Sequence, residues 1–403
     1  MLDRLARSLS AVRLRIAVCL VLGLGACGSN ESPVIPPFTL TFSVATGDLN
    51  GDGRPDLTSA NIFIDGPPPH PGHISVMLQS QSSPGAFGGA RNLAVGSETV
   101  MVSIGDLNGD NLMDLVAANE SSASISILFQ DSTSPGTFLA AHNLEVGAHP
   151  NGVAIGDLNG DGHLDIAVAD SALSILFQNA NAPGTFSPRI ALGVRCSSVG
   201  IGDLNADGRA DLVATSPDAG TVSILLQNPA GAGTFLPPHT VAAGFQPLHV
   251  AIADLNADSL PDLAIANLGT PDSPDTASLS VLLNDSGSPG SLLAASNYGT
   301  GARSQFVSIG DLNGDRKPDL VVANGGHLGD TGTVSVLFQN PGMPGTFRTA
   351  VNRPGTSQPL AVAIADLNED NLADIALADE GVRILFQIPG QPGTFRAPIL
   401  VGS

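Results

Sequence analysis

One phrase recurs seven times along this chain, and that repetition constrains the fold more than any other feature. Gly47-Asp48-Leu49-Asn50-Gly51-Asp52-Gly53 returns with its Asp-Leu-Asn core at Asp106, Asp157, Asp203, Asp254, Asp311 and Asp366. Successive first aspartates lie 58, 51, 46, 51, 57 and 55 residues apart. A second phrase, Pro-Gly-Thr-Phe, stands between them at Pro135–Phe138, Pro183–Phe186, Pro344–Phe347 and Pro392–Phe395. Its variants are Pro84–Phe87, Ala232–Phe235 and Pro289–Leu292. Strict alternation of the two phrases means that one structural unit was copied to fill the chain. The unit, not the 403-residue length, therefore decides the domain count.

Within a unit the pattern is short and β-like. The third unit offers Val153–Gly156 before its Asp phrase, then Ile166–Ala169, Leu173–Phe177 and Ile190–Val194. Such runs, rich in β-branched residues and bounded by Gly, Pro, Asn and Asp, are the signal of strands. Continuous apolar runs such as Leu263–Ala266 and Leu320–Ala323 predict strands buried on both faces. No window has the length or the 3.6-residue period of a surface helix. Four strands per roughly fifty residues, repeated radially, predict an all-β, seven-bladed β-propeller of four-stranded antiparallel blades. A calcium-binding β-roll of nonapeptide repeats has far too short a period to compete.

The Asp phrases carry explicit chemistry. In the first, positions 1, 3, 5, 7 and 9 are Asp48, Asn50, Asp52, Arg54 and Asp56. Positions 1, 3, 5 and 9 supply side-chain oxygens and position 7 a backbone carbonyl, a spacing that wraps a chain around one hard cation. An all-oxygen set favours Ca²⁺ over zinc or copper. The second and third sets are Asp106, Asn108, Asp110, Leu112 and Asp114, then Asp157, Asn159, Asp161, His163 and Asp165. Next come Asp203, Asn205, Asp207, Arg209 and Asp211, then Asp254, Asn256, Asp258, Leu260 and Asp262. The last two are Asp311, Asn313, Asp315, Lys317 and Asp319, and Asp366, Asn368, Asp370, Leu372 and Asp374. Up to seven structural Ca²⁺ ions are expected. An EF-hand or dockerin loop needs an acid at position 12, where the first loop has Ser59. Position 6 asks for a left-handed backbone, which suits Gly53, Gly162 and Gly208 and is tolerated by Asn111 and Asn371. Ser259 and Arg316 suit it less, so weaker metal binding is expected in units five and six. Two carboxylates ~4 Å apart repel by ~4 kcal/mol at an effective dielectric of ~20, which a cation would turn into coordination. The alternative is an Asp/Asn/Gly turn held by side-chain hydrogen bonds without metal.

Charge narrows the partners. Sixteen Lys and Arg stand against 37 Asp and Glu, a net −21, and Lys317 is the only lysine. Nucleic-acid binding through a basic surface is excluded, because neutralising phosphates needs Lys and Arg. A hydrophobic share of 42% argues against disorder.

At the amino terminus, Arg4, Arg7, Arg13 and Arg15 precede an apolar run from Ile16 to Gly25, the order of a secretory signal peptide and too short to span a bilayer. It ends in Leu24-Gly25-Ala26-Cys27, which resembles the lipobox of bacterial lipoproteins. That resemblance implies cleavage of residues 1–26, lipidation of Cys27, and an anchored protein of the bacterial envelope, in the outer membrane or at the cell surface. Residues 27–40, with Pro33, Pro36 and Pro37, read as a tether, and residues 41–403 as the propeller. Cleavage would lower the net charge to −24 and leave Cys196 the lone unmodified cysteine, so no intrachain disulfide is expected.

The seven Asp loops and their order make residues 41–403 similar to the FG-GAP/VCBS repeat family, whose members resemble the propeller of integrin α chains. The resemblance implies Ca²⁺ in loops on one face, held by the residues named above, and ligand contacts mostly on the other. No inserted adhesion domain, stalk module or transmembrane helix accompanies the repeats, so integrin-like signalling does not carry over.

No nucleophile elbow, His-Glu-x-x-His helix or phosphate-binding glycine loop is present. His70 and His73 read as parts of a solvated Pro-rich loop, and Cys196 as a small buried residue. If the Asp loop joins the first and second strands, the loops after the second and fourth strands share the opposite face. Those loops include 61–73, 267–277 and 324–333, with Arg195, Gln246, Arg303, Gln305 and Gln358 just before inner strands. Three functions remain: a non-enzymatic propeller binding a glycan or protein, a polysaccharide lyase or hydrolase, and a structural envelope component. A lyase would cluster a basic residue with carboxylates at one central entrance.

Overall fold

In the computed structural model, which describes residues 38–65, 68–270, 276–326, 331–355 and 357–402, every Asp-Leu-Asn phrase falls at a reversal between two antiparallel strands. The first blade consists of Phe38–Gly47, Asp56–Ile64, Pro71–Met77 and Arg91–Ser97, paired in that order. Six further four-stranded antiparallel sheets follow with the same sequential pairing. Their innermost strands are Thr99–Gly105, Gly152–Gly156, Ser198–Gly202, Pro247–Ala253, Ser304–Gly310 and Ala361–Ala365. Each innermost strand touches that of the next blade, and Phe38–Gly47 touches Ala361–Ala365. The chain is a closed, seven-bladed, all-β propeller. Strand begins at Phe38, so the last three residues of the expected tether belong to the first blade. The signal segment and Cys27 lie outside the described residues.

Burial explains the continuous apolar runs. In blade two, Asp114–Asn119 and Ser124–Leu128 are buried throughout, whereas three of the four residues of the outer strand His142–Glu145 are exposed. A middle strand has a neighbouring blade against each face, so it carries apolar residues in succession, not in alternation. The core is accordingly a ring of layers between blades. Leu107, Val116 and Ile125 of blade two pack with Val153, Ile166 and Val168 of blade three. The layer closing the ring joins Val44, Leu57 and Met77 to Ala361, Leu367 and Ile384. The leucine of each Asp-Leu-Asn phrase is fully buried in all seven units, which contributes ~1.5–3 kcal/mol apiece.

The two recurring phrases meet in space, which accounts for their alternation. The glycine of each Pro-Gly turn has positive φ and seats on the preceding blade, in six units against the asparagine at loop position 3 and at Gly393 against the Phe338 ring. A Cβ at Gly136 would lie 3.2 Å from Asn50 Cβ, and one at Gly85 would lie 3.1 Å from Asn368 Cβ, across the junction of first and last blades. Arg54 Nε also pairs with Glu369 Oε1 there at 2.7 Å, and Ala90 N–H donates to Gly402 O at 3.2 Å. Gly233 has φ 67°, and an added Cβ would meet Phe177 Cζ at 2.6 Å. Gly233→Ala is therefore expected to destabilise the protein by about 2–4 kcal/mol, from left-handed strain and overpacking, measured by denaturant unfolding.

Candidate functional site

Each inner strand runs from one end of the propeller to the other, so the ring has two chemically distinct ends. The strand Ser304–Gly310 starts at a central cavity and stops beside Asp311.

At the Asp-loop end, one hydrogen-bond scheme holds in all seven units. The position 1 carboxylate accepts the N–H groups of positions 5 and 6, and the position 3 carbonyl oxygen accepts that of position 5. Position 5 Oδ1 accepts the N–H of position 7, namely Arg54, Leu112, His163, Arg209, Leu260, Lys317 and Leu372. The position 9 carboxylate is fully buried at the start of the second strand. Its Oδ2 accepts the N–H of the phrase leucine, and its Oδ1 accepts an N–H from just beyond the third strand, as in Leu158 N to Asp165 at 2.9 Å and Gln178 N to Asp165 at 2.8 Å.

Burial pushes the position 9 carboxyls up from 3.8, to about 6 in Asp56, Asp114, Asp165, Asp211, Asp262 and Asp319 and to about 7 in Asp374. Two backbone N–H bonds oppose the rise, and the charges at positions 5 and 1 add to it. Among the described residues, however, no three His, Cys, Asp or Glu side chains converge as a metal cluster. The carboxylates are turned onto backbone amides: Asp48 Oδ1 accepts from Asn50, Gly51 and Asp52, whereas the position 5 Oδ1 accepts only the N–H of position 7. An all-oxygen, mostly anionic donor set of this kind fits a hard divalent cation chemically.

All seven position 6 residues adopt positive φ, including Ser259 at 69° and Arg316 at 64°. Units five and six thus keep the common loop geometry, with the left-handed strain falling on those two side chains. Position 4 is left-handed too, at Gly51, Gly109, Gly160, Ala206, Ala257, Gly314 and Glu369, a second requirement that the sequence reading passed over.

A further residue was missed altogether. Gln79, Gln130, Gln178, Gln227, Asn284, Gln339 and Gln387 follow the third strands, each bridging the closing residue of the Pro-Gly phrase. In all seven, the backbone N–H is the donor to position 9. Side-chain amides reach the neighbouring blade in three units: Gln227 to Leu158 O at 2.6 Å, Asn284 to Leu204 O at 2.7 Å and Gln339 to Leu255 O at 2.9 Å. Their constant offset of eight residues before that closing Phe or Leu was the available signal.

The opposite end holds a cavity of about 180 Å³ at the ring centre. Of the residues expected before inner strands, Arg303, Gln305 and Gln358 line it; Arg195 and Gln246 do not. Arg195 instead lies 3.7 Å from Asp218. Glu98, His149, Gln246 and Arg303, each shortly before an inner strand, all have positive φ between 54° and 61°. Left-handed non-glycine residues cost ~1–2 kcal/mol each, and such strain gathers at functional sites. Asp379 and Glu380 also line the cavity. Asp379 accepts N–H bonds from Ser357 and Gln358 at 3.1 and 2.9 Å.

His249 forms part of the wall, stacked on Phe306 with ring centroids 3.5 Å apart and Nδ1 buried without a partner. Burial lowers its pKa to about 3, against a raising contact with the Val307 backbone. Two expectations for the remaining residues divide. Cys196 is buried, with burial pushing its thiol up to about 12, so it is no nucleophile. His70, expected in solvent, is 3% exposed, and His73 pairs in the third strand of blade one. The His70 carbonyl accepts the Glu98 N–H at 3.0 Å, which seats this residue against the entry to blade two. Residues 271–275 and 327–330 of the expected ligand loops lie outside the described residues.

The His249 environment yields a pH dependence. Below about pH 6.5 the unfolded chain takes up a proton at this residue that the folded chain refuses until about pH 3. Stability is therefore lost as pH falls through that window. The unfolding free energies of wild type and His249→Gln should converge by ~2 kcal/mol between pH 7 and pH 5.

Residues 106–168, 159–214, 203–265 and 311–377 match a family model described as FG-GAP-like repeat, together more than half of the chain. No match was found among curated proteins. Similar solved structures include BBS1N in its complex with ARL6DN (14% identity, TM-score 0.56, covering 89% of this chain and 95% of that one). Another is a protein from Lactobacillus plantarum (11%, TM-score 0.51, 80% and 86%). A third is the exotype rhamnogalacturonan lyase YesX (12%, TM-score 0.50, 87% and 72%). At these identities the likeness is one of fold.

Proposed function

The chain belongs to the FG-GAP-like repeat family, and from that membership and the two-ended geometry we propose a calcium-stabilised, lipid-anchored cell-surface propeller that binds a glycan or protein ligand. Membership and fold support a binding or structural role. The observation carrying the finer reading is the central cavity, lined by polar residues at the starts of inner strands, the strand ends opposite the acidic loops. Ligands in propellers of this shape meet loops held by a rigid scaffold.

Calcium in this reading is structural. Positions 1, 3, 5 and 9 of each loop would hold it through side-chain oxygens and position 7 through its carbonyl. The bound ion would neutralise acids that otherwise repel across the turn. Cys27 would tie the domain to the envelope of a bacterial cell.

One observation favours a second reading, a polysaccharide lyase or hydrolase: Arg303, Asp379 and Glu380 line one central entrance. The side chains weigh against it. His249, with its pKa near 3, is too weak a base for proton abstraction at neutral pH, and a guanidinium stays protonated. Asp379 is already engaged by two backbone amides.

The test is to incubate the protein with a glycan panel and envelope extract, with and without chelator. Calcium-dependent capture without product is expected, together with a melting temperature that falls on chelation. Turnover of a polysaccharide would establish the second reading instead, and an unchanged melting temperature would remove calcium from the account. Separately, Cys27→Ser should release the protein from the membrane fraction and abolish labelling by a radioactive fatty acid; retention of both would exclude the anchor.

A further inference from the structure

The central cavity contains polar groups that the protein itself leaves unpaired. Arg303 lines it from a left-handed residue at φ 61°, immediately before an inner strand. Among the described residues no carboxylate lies within ion-pair distance of its guanidinium. The carboxamides of Gln305 and Gln358, on the same wall, make no hydrogen bond to the described residues either. Nδ1 of His249 is buried without a partner. The Arg303, Gln305 and Gln358 head groups are half-buried and face the cavity with their hydrogen-bonding capacity free for a ligand, while the unpartnered His249 Nδ1 is a buried polar atom, which is costly to leave unmatched. Burial also lowers the Arg303 pKa, the mark of a guanidinium partly stripped of water.

We infer that this cavity is a binding site for a small polyhydroxylated carboxylate, a sugar acid, with Arg303 as its anion anchor. This rests on the reading that the cavity end is the ligand end. A planar guanidinium offers a paired N–H fork that matches a carboxylate. Carboxamides donate and accept at once, as hydroxyl groups require. The Phe42 and Phe306 rings give an apolar wall for the C–H face of a sugar ring. The volume, about 180 Å³, lies below the ~300–1,000 Å³ of sites that enclose larger ligands, so one ring or chain end enters.

Electrostatics permits the anion despite the net charge of −21. The loop carboxylates gather at the far end; from Arg303 the nearest along its own strand lie beyond Ser304–Gly310, seven residues or roughly 23 Å at ~3.3 Å per residue. That exceeds the ~8–10 Å screening length of physiological salt. Within the cavity, Asp379 is held by the Ser357 and Gln358 amides, with Arg383 Nε at 3.8 Å. Glu380 is exposed to solvent, which screens it.

Titration calorimetry of the calcium-equilibrated protein with glucuronate, its methyl ester and glucose tests the inference. Glucuronate should bind at least about tenfold more tightly than either neutral analogue, as loss of one charge-assisted contact predicts. Arg303→Gln should abolish that preference, while Arg303→Lys keeps part of it. Gln246 already occupies the corresponding left-handed position at φ 54°, so glutamine is tolerated there. Gln305→Leu should weaken all three sugars, and tri-glucuronate compared with the monomer tells a free sugar acid from a chain end. Equal binding of glucose and glucuronate, no binding of either, or an Arg303→Gln variant with unchanged preference overturns the proposal. If glucuronate fails while the glycan panel still captures another ligand, only the sugar-acid assignment falls. If both fail, the cavity end is not the ligand end.

Discussion

A buried carboxylate at the start of every second strand holds each blade together. In blade three, Asp165 accepts from Leu158, just after the first strand, and from Gln178, which follows the third strand. One side chain thus fixes three segments at the same end of the sheet. Its burial is costly for a charge, and the two amides offset part of that cost. The same contact recurs seven times, so the blades end alike and their apolar faces stack in register. The leucine between the bonded groups is locked into the layer between blades, where hydrophobic burial supplies the gain.

This arrangement separates the molecule into a fixed end and a variable end. Asp loops, Pro-Gly turns and the Gln or Asn after each third strand interlock from blade to blade at the fixed end. At the other end the segments entering inner strands differ among blades, with Glu98, His149, Gln246 and Arg303 sharing a backbone shape but not a chemistry. A scaffold closed on itself leaves little freedom at the rim of its channel. Strained residues and unpaired polar groups can persist there because the seven interblade layers over-determine the backbone beneath them.

Much of the fold was legible because its physics is local and repeated. Position 6 announces a left-handed turn through Gly53, Gly162 and Gly208, and middle strands announce double burial through runs such as Leu320–Ala323. The eight-residue offset between Gln178 and Phe186 carried equal information but names no familiar motif. Buried polar chains were harder still. Asn324 bonds Ser304 and Ser335, and Ser335 in turn bonds Asn352, across all four strands of blade six, with partners far apart in sequence.

The sequence by itself determined the number of units, the strand content of each and the acidic oxygen set in every turn, since these follow from spacing and from residue chemistry acting over a few positions. Only the tertiary structure decided that each Pro-Gly turn seats on the preceding blade, that His70 is buried, and that Arg303, Gln305 and Gln358 meet at one cavity while Arg195 turns to Asp218. Those outcomes depend on which blades become neighbours and how the ring closes, and contacts between residues distant along the chain leave no periodic trace in it.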